Sequence, residues 1–423
     1  MLTALLQDQK LHQEGRMAAG PALLLCLFVP TVAGAVHGPG DEVSVQLQPL
    51  ADAEGRVAQT SVDGHALLIP GGRARESSAR LRFRLPDGDG SQSRWVVWIG
   101  RNPVDTVMLQ RGEWRSAQRD FFDPAEDVGI LPSGFQFPLP ADWRGDIELD
   151  LRASGTLRSA LRVKVLRESV AMRIEQRGAA LAAAIYASLF TLALLTLALY
   201  GAARDRIFLI FFGATTCALL LLSAENGHLY QLPVFGLLSS WRGQGIWALG
   251  LVYLAVVLQL IVRYADSAKA MPRLVRFVDG YGIALSMLAA VCLLGLSVVD
   301  MVLPVLGTLA WTVAAALGLT LIVDGARRKV QMAWPIALLV GLTVVAVFTT
   351  EVVMRGRWVD PVWLRYAYQM VLVASAAVLA VGLISRISDY RNQRDRDQLA
   401  RPDCQRRMPR GAARARLNTP PRG

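Results

Sequence analysis

Histidine and cysteine are scarce in this chain of 423 residues, four of each. They are not grouped as a metal site or a nucleophile–base pair requires. Cys26, Cys217, Cys292 and Cys404 leave none for residues 36–170, which excludes a disulfide there. His37 and His65 stand alone. Charge is also sparse, at 19% of residues, and none lies at mid-depth in the long apolar runs between 179 and 385. Glu225, Asp300, Asp324 and Glu351 fall at the ends of those runs or between them. Ion- and proton-coupled pumps need an ionisable group inside the helical bundle, so this lack speaks against ion-coupled transport. Uniporters and lipid carriers survive that test. The runs also show no internal repeat, and seven of them do not divide into equal halves. No enzyme, cofactor or metal is implied.

What the chain has is apolar surface, 53% of residues, unevenly distributed. Residues 36–170 are polar and balanced, with 19 Asp/Glu against 17 Lys/Arg, whereas residues 386–423 carry 11 Arg and four Asp. The net charge of +11 therefore belongs mainly to the tail and the short connections. Membrane topology explains it better than a nucleic-acid partner does. Residues 21–33, PALLLCLFVPTVA, are apolar but short, preceded by Lys10 and Arg16 and followed by Ala33-Gly34-Ala35. This pattern predicts a signal peptide over 1–35 cleaved after Ala35, with an uncleaved anchor as the rival and Met17 as an alternative start.

Between 36 and 170 several stretches alternate with a period of two, as half-buried strands do. They are residues 81–85 (LRFRL), 135–137, 147–152 and 161–165, joined by the more apolar 94–99 and by 43–50 and 105–110. Gly/Pro clusters at 38–40, 70–72, 86–90 and 132–134 separate them. About eight strands in this length predict an all-β two-sheet sandwich. Trp95 and Trp98 are three apart and so point to opposite faces of one strand. One can fill the core while the other, with Arg94 or Asp105 nearby, offers a platform for a sugar or other small ligand. The plainer alternative is that both fill the sandwich or its rim. The loop with Asp120, Asp123, Glu126 and Asp127 fits no calcium-loop spacing.

Seven segments reach about the length of a membrane span: 179–200, 207–224, 244–263, 278–298, 304–323, 332–350 and 364–385. With residue 170 outside, the connections on the inner side hold nine Lys/Arg and those on the outer side four, namely Arg242, Arg355, Arg357 and Arg365. This bias predicts a bacterial inner-membrane protein with a periplasmic N-terminal domain and a cytoplasmic tail. Gln259 and the Tyr368-Gln369 pair are candidates for bonds between helices, whereas the Ser and Thr residues can bond their own helix backbone. After the second segment come Glu225, Asn226, Gly227, His228 and Tyr230. This outer cluster can line a pocket or grip the exported domain, or it is a solvated loop.

An exported β-domain followed by seven helices resembles the bacterial seven-transmembrane receptors with diverse intracellular signalling modules. The likeness rests on RNPVDTVMLQRGEW and FQFPLPADWRGDIELDL within residues 95–152. It extends to IYASLFTLALLTLALYGAARDRIFLIFF and the Glu225-Asn226-Gly227 end of the second segment. The resemblance implies a jelly-roll sensory domain, similar to carbohydrate-binding modules, that senses a small molecule or envelope component. Its helices would pass the signal to a cytoplasmic cyclase, kinase or phosphatase. No catalytic residue carries over, and the 38 residues after 385 are too few for such a domain. The expectation is a receptor, with either a shortened gene or a separate cytoplasmic signalling partner, and with homodimerisation open. Residues 386–399 can continue the last helix, and 400–423 have a disordered composition whose arginines can lie on anionic lipid. The alternatives are a noncatalytic envelope assembly or scaffold protein and, less favoured, a transporter.

Overall fold

The computed structural model describes residues 41–51, 57–61, 63–70, 75–86, 94–100, 102–123, 134–232, 234, 236–330, 333–354 and 366–385. The expected signal peptide (1–35), the candidate signalling helix (386–399) and the tail (400–423) lie outside these residues, as do Glu126, Asp127, Arg355, Arg357 and Arg365.

The N-terminal part folds as two antiparallel sheets. One has the order β3-β4-β11-β6-β9, with β1 also on β11. Its strands are β1 (Glu42–Val43), β3 (Gln59–Thr60), β4 (Ala66–Ile69), β6 (Trp95–Gly100), β9 (Gly134–Pro138) and β11 (Ser159–Arg167). The other has the order β2-β5-β10-β7-β8. It contains β2 (Gln46–Pro49), β5 (Arg75–Leu85), β7 (Thr106–Arg111), β8 (Trp114–Arg115) and β10 (Gly145–Gly155). Alternation places Leu81, Phe83, Leu85, Leu149 and Leu151 in the shared core. The same register sets Arg82 opposite Glu148 and Arg80 opposite Asp150 on the outer face. There Arg82 Nε lies 2.8 Å from Glu148 and Arg80 Nε 2.9 Å from Asp150. Exposed pairs contribute little stability, but opposite charges in register disfavour a one-residue slip.

Strand β4 carries no alternation, because all four of its residues are buried. Leu67 and Ile69 enter the main core, while Ala66 and Leu68 pack with Ala160 in a separate cluster. With both faces covered, a period of two disappears from the sequence.

Seven longer helices follow: α1 (Glu168–Ala203), α2 (Arg206–Glu225), α3 (Arg242–Tyr264), α4 (Pro272–Cys292), α5 (Ser297–Arg327), α6 (Ala333–Met354) and α7 (Tyr366–Ser385). Six are long and apolar enough to cross a membrane. In α6 the qualifying apolar stretch is shorter, Ala333–Thr349, so length and composition support six spans among the described residues rather than the expected seven. The chain is thus a β-sandwich followed by a multi-pass helical region.

Several expected boundaries move. The sandwich ends at Arg167 rather than 170, and α1 begins at Glu168 instead of 179, directly from the end of β11. Residues 168–178 bury only Val170, Ala171, Glu175 and Gly178, one stripe at helical spacing. A search for uninterrupted apolar length passes over such an amphipathic extension. The fourth helix ends at Cys292 rather than 298, because Gly295 takes a left-handed φ of 67° in the turn. The fifth starts at Ser297 and runs through Pro304, which had marked its expected start.

Large apolar side chains cover the outside of the bundle, among them Val305, Phe348, Met287 and Trp334. Between helices, Gln259 Nε2 donates to Asp279 Oδ1 at 2.7 Å, Gln244 Nε2 to Asp300 Oδ1 at 2.9 Å, and Tyr281 Oη to the Ala310 carbonyl at 2.7 Å. Ser188, Thr312, Thr320, Thr343 and Ser375 bond back to carbonyls four residues earlier.

Candidate functional site at the sandwich–helix joint

The sandwich core does not stop at the sandwich. Leu221 and Ala224 of α2, Leu229 and Tyr230 of the following turn, and Ile246 of α3 belong to the same apolar cluster as the sheet interior. The Tyr230 ring meets the edges of Phe121 and Phe122, with centroids 6.0 Å and 5.2 Å away. Edge-to-face packing of this kind adds to simple area burial. Burial raises the Tyr230 phenol above its ordinary value. At the head of α3, Arg242 Nη1 lies 3.2 Å from Asp105 and Nη2 3.3 Å from Asp120, so one guanidinium spans two loops of the sandwich. Burial raises both carboxyls, while Arg242 pulls each back down. Arg242 holds φ at 44°, a left-handed conformation that costs a non-glycine residue about 1–3 kcal/mol. Next to it, a Cβ on Gly243 would stand 2.7 Å from Leu157 Cγ, so a larger residue there would push aside the side chains of the loop after β10 that sits on α3.

The candidate ligand-platform residues are distributed over the sandwich. Trp95 is in the core, 8% exposed, with the Arg167 guanidinium 5.6 Å from its ring centroid. Asp105 is buried at the joint, and Arg94 is exposed just before β6, where its carbonyl accepts the Glu168 amide at 3.0 Å. Trp98 is on the opposite face from Trp95, lying over Gly134 so closely that a Cβ there would be 2.3 Å from Nε1.

The second group sits on the other side of the 226–231 turn, at the sandwich end of the helices. Tyr368 Oη of α7 donates to Glu225 Oε2. Asn226 and Gln369 form a reciprocal amide pair, each Nδ2 or Nε2 donating to the other's oxygen at 3.2 Å. Asn226 Nδ2 also donates to Tyr186 Oη of α1 at 2.9 Å, and Tyr186 Oη lies 2.8 Å from His228 Nδ1. The Tyr186 hydroxyl also reaches the Leu222 carbonyl at 3.4 Å, so its hydrogen has two acceptors within reach and the His228 tautomer follows whichever of them it takes. Gln369 is 1% exposed. Glu225, Asn226 and His228 thus face α1 and α7, while Tyr230 faces the sandwich. Sequence reasoning marked the cluster and the Tyr368-Gln369 pair separately. It missed Tyr186, Arg242 and the Phe121-Phe122 pair as partners, because contacts across 40 to 140 residues leave no local pattern.

A cavity of about 1110 Å³ opens beside this network, between the outer face of the β6–β11 sheet and the helices. Trp98, Arg158, Arg162 and Lys164 line its upper part, while side chains of α2, α3, α5, α6 and α7 line the rest. Among the described residues no group of His, Cys, Asp and Glu is arranged to hold a metal ion. No protein-family model matches the chain, and no curated protein matches it.

Proposed function

We propose that this is a noncatalytic receptor-like transducer of the bacterial inner membrane, of the kind its sequence resembles, with a periplasmic sandwich and a cytoplasmic tail. It would take a periplasmic ligand, of carbohydrate or other envelope chemistry, and pass the signal to a separate cytoplasmic partner or output module. One observation carries this reading: the segment from Glu225 to Tyr230 is held by the sandwich on one side and by α1 and α7 on the other. A shift of the sandwich against Tyr230 and Arg242 would therefore be met by rearrangement at the Asn226–Gln369 pair, in the first turn of the helix that leads to the tail. A ligand drives such a change only if it binds the two arrangements unequally.

Hydrogen exchange tests the coupling without a ligand. In purified full-length protein, Tyr230→Ala combined with Arg242→Ala is expected to speed amide exchange at the sandwich loops and also at residues 366–375 of α7. Faster exchange at the loops with α7 unchanged would reject transmission by this route. A scaffold of the cell envelope, the second reading, instead predicts a stably co-purifying partner and an α7 indifferent to the joint. Reporter fusions at residues 100 and 395 check the topology, which requires opposite compartments.

A further inference from the structure

The cavity beside the joint has an uneven chemical lining. Its described upper wall brings together four cations: Arg158, Arg162 and Lys164 on the outer face of β11 and its preceding turn, and Arg177 on the extension of α1. Glu225, engaged by Tyr368, is the one carboxylate among the described lining residues. Arg162 and Lys164 are steered by Asp63 at 3.6 Å and Glu42 at 2.9 Å, acids outside the lining. Register sets Lys164 directly beside Trp98. The Trp98 indole N–H is buried without an acceptor among the described residues, and so is that of Trp247 on α3, which also lines the cavity. Neither nitrogen is open to a group of water's size, so the four cations give the upper wall its polar character.

The lower wall is different. Val257, Leu258 and Ile261 of α3 and Val344 of α6 form an apolar channel. Thr312 and Leu319 of α5 and Phe348 of α6 line the cavity and are also exposed on the outside of the bundle. The channel therefore opens sideways through the apolar belt of the helices, where a sugar or a free ion has no favourable path. Its volume lies just above the roughly 300–1,000 Å³ typical of small-molecule sites.

We infer that this cavity binds an anionic amphiphile drawn from the outer leaflet. An oxyanion head, phosphate or carboxylate, sits among Arg158, Lys164 and Arg177, and a hydrocarbon tail lies in the channel between α3, α5 and α6. The cations match the head, the apolar walls match the tail, and the side opening supplies the entry. This deepens the proposed function by naming the chemistry of its stimulus. Binding itself is independent of whether α7 responds.

The test uses full-length protein carrying Trp334→Phe, which removes the exposed indole of α6, in phosphatidylcholine nanodiscs. Tryptophan quenching is followed during titration with a brominated single-chain alkyl phosphate, the uncharged brominated alcohol of equal chain length, and inorganic phosphate before either. The alkyl phosphate is expected to quench saturably where the alcohol gives only the linear loss of bilayer partitioning, and prior inorganic phosphate leaves the titration unchanged. Lys164→Gln with Arg177→Gln is expected to weaken saturable binding about tenfold or more. Thr312→Phe, which fills the side opening, should slow or abolish it with insertion intact. Saturable binding of alcohol and phosphate alike would overturn the anionic head, and blockade by inorganic phosphate would overturn the tail. Linear quenching by every probe would overturn the site, while leaving the exchange test of α7 standing or falling by itself.

Discussion

In the sandwich, Leu81, Leu109 and Leu151 are wholly withdrawn from solvent, whereas in the helices Val305, Phe348 and Met287 are 70, 69 and 66% exposed. The same residue types are sorted in opposite directions because the two regions meet opposite solvents. In water, apolar area is removed at about 25 cal/mol per Å², so a strand turns every second residue inward. In a bilayer that driving force vanishes between helices, and close packing with a few interhelical hydrogen bonds takes over. The Gln259–Asp279 and Gln244–Asp300 bonds and the seat of Trp247 against Gly307 serve that purpose here. The joint is where the regimes meet. It uses devices of both, an aromatic core shared across the boundary and a cation closing on two partly buried acids.

Truncation breaks this contrast most strongly. Leu149→Ala in the sandwich core is expected to cost roughly 2–5 kcal/mol of stability, while Val305→Ala on the outside of α5 should change it by no more than about 0.5 kcal/mol. Denaturant titration of both variants in the same lipid mimetic compares them, and equal losses would mean that the two regions do not sort apolar residues by different rules.

A smaller effect is expected at the boundary itself. Arg242→Ala leaves Asp105 buried beside Asp120 without its cation, but the guanidinium is 45% exposed and partly screened. The loss is therefore expected at about 1 kcal/mol, read as earlier melting of the sandwich.

The smallest effect concerns acid. Burial raises Asp105 and Asp120 despite Arg242, so the folded protein binds their protons more tightly than the unfolded chain does. Their contribution to stability is complete below the ordinary aspartate value and is lost as pH rises through the raised one. Asp63 acts in the opposite sense: burial raises it, but the Ser61 hydroxyl, the His65 amide and Arg162 together hold it below its ordinary value. Comparing Asp105→Asn with the parent isolates one share. The variant should lose part of the stabilisation gained on acidification in that window, and an unchanged or steeper gain would show that Arg242, not burial, governs Asp105.

Much of the sandwich was legible, because Leu81-Arg82-Phe83-Arg84-Leu85 and the 147–152 stretch have one wet and one dry face. Strand β4 was not, since a strand covered on both sides has no alternation. Helix existence was legible from apolar length, but the start of α1 was not, because residues 168–178 form a helix whose polar side interrupts any apolar run. At the joint, the 225–230 cluster stood out by its reactive side chains alone. Its two allegiances did not, since Tyr186, Phe121 and Gln369 come from distant parts of the chain. Trp98 shows the limit of parity: three residues from Trp95 fixes opposite faces, yet the surface over Trp98 is set by Gly134 and the helices.

Strand β11 runs into α1 at Arg167–Glu168 with no intervening loop, and α1 continues for 36 residues. At 1.5 Å per residue this is a stiff rod of about 54 Å, fixed at one end in a sheet. A tilt of the sheet by about 5° would carry the far end sideways by about 5 Å if the rod does not bend. Whatever leans on the sandwich thus has a mechanical outlet at Ala203, on the opposite side of the bundle, in addition to the proposed path through α7.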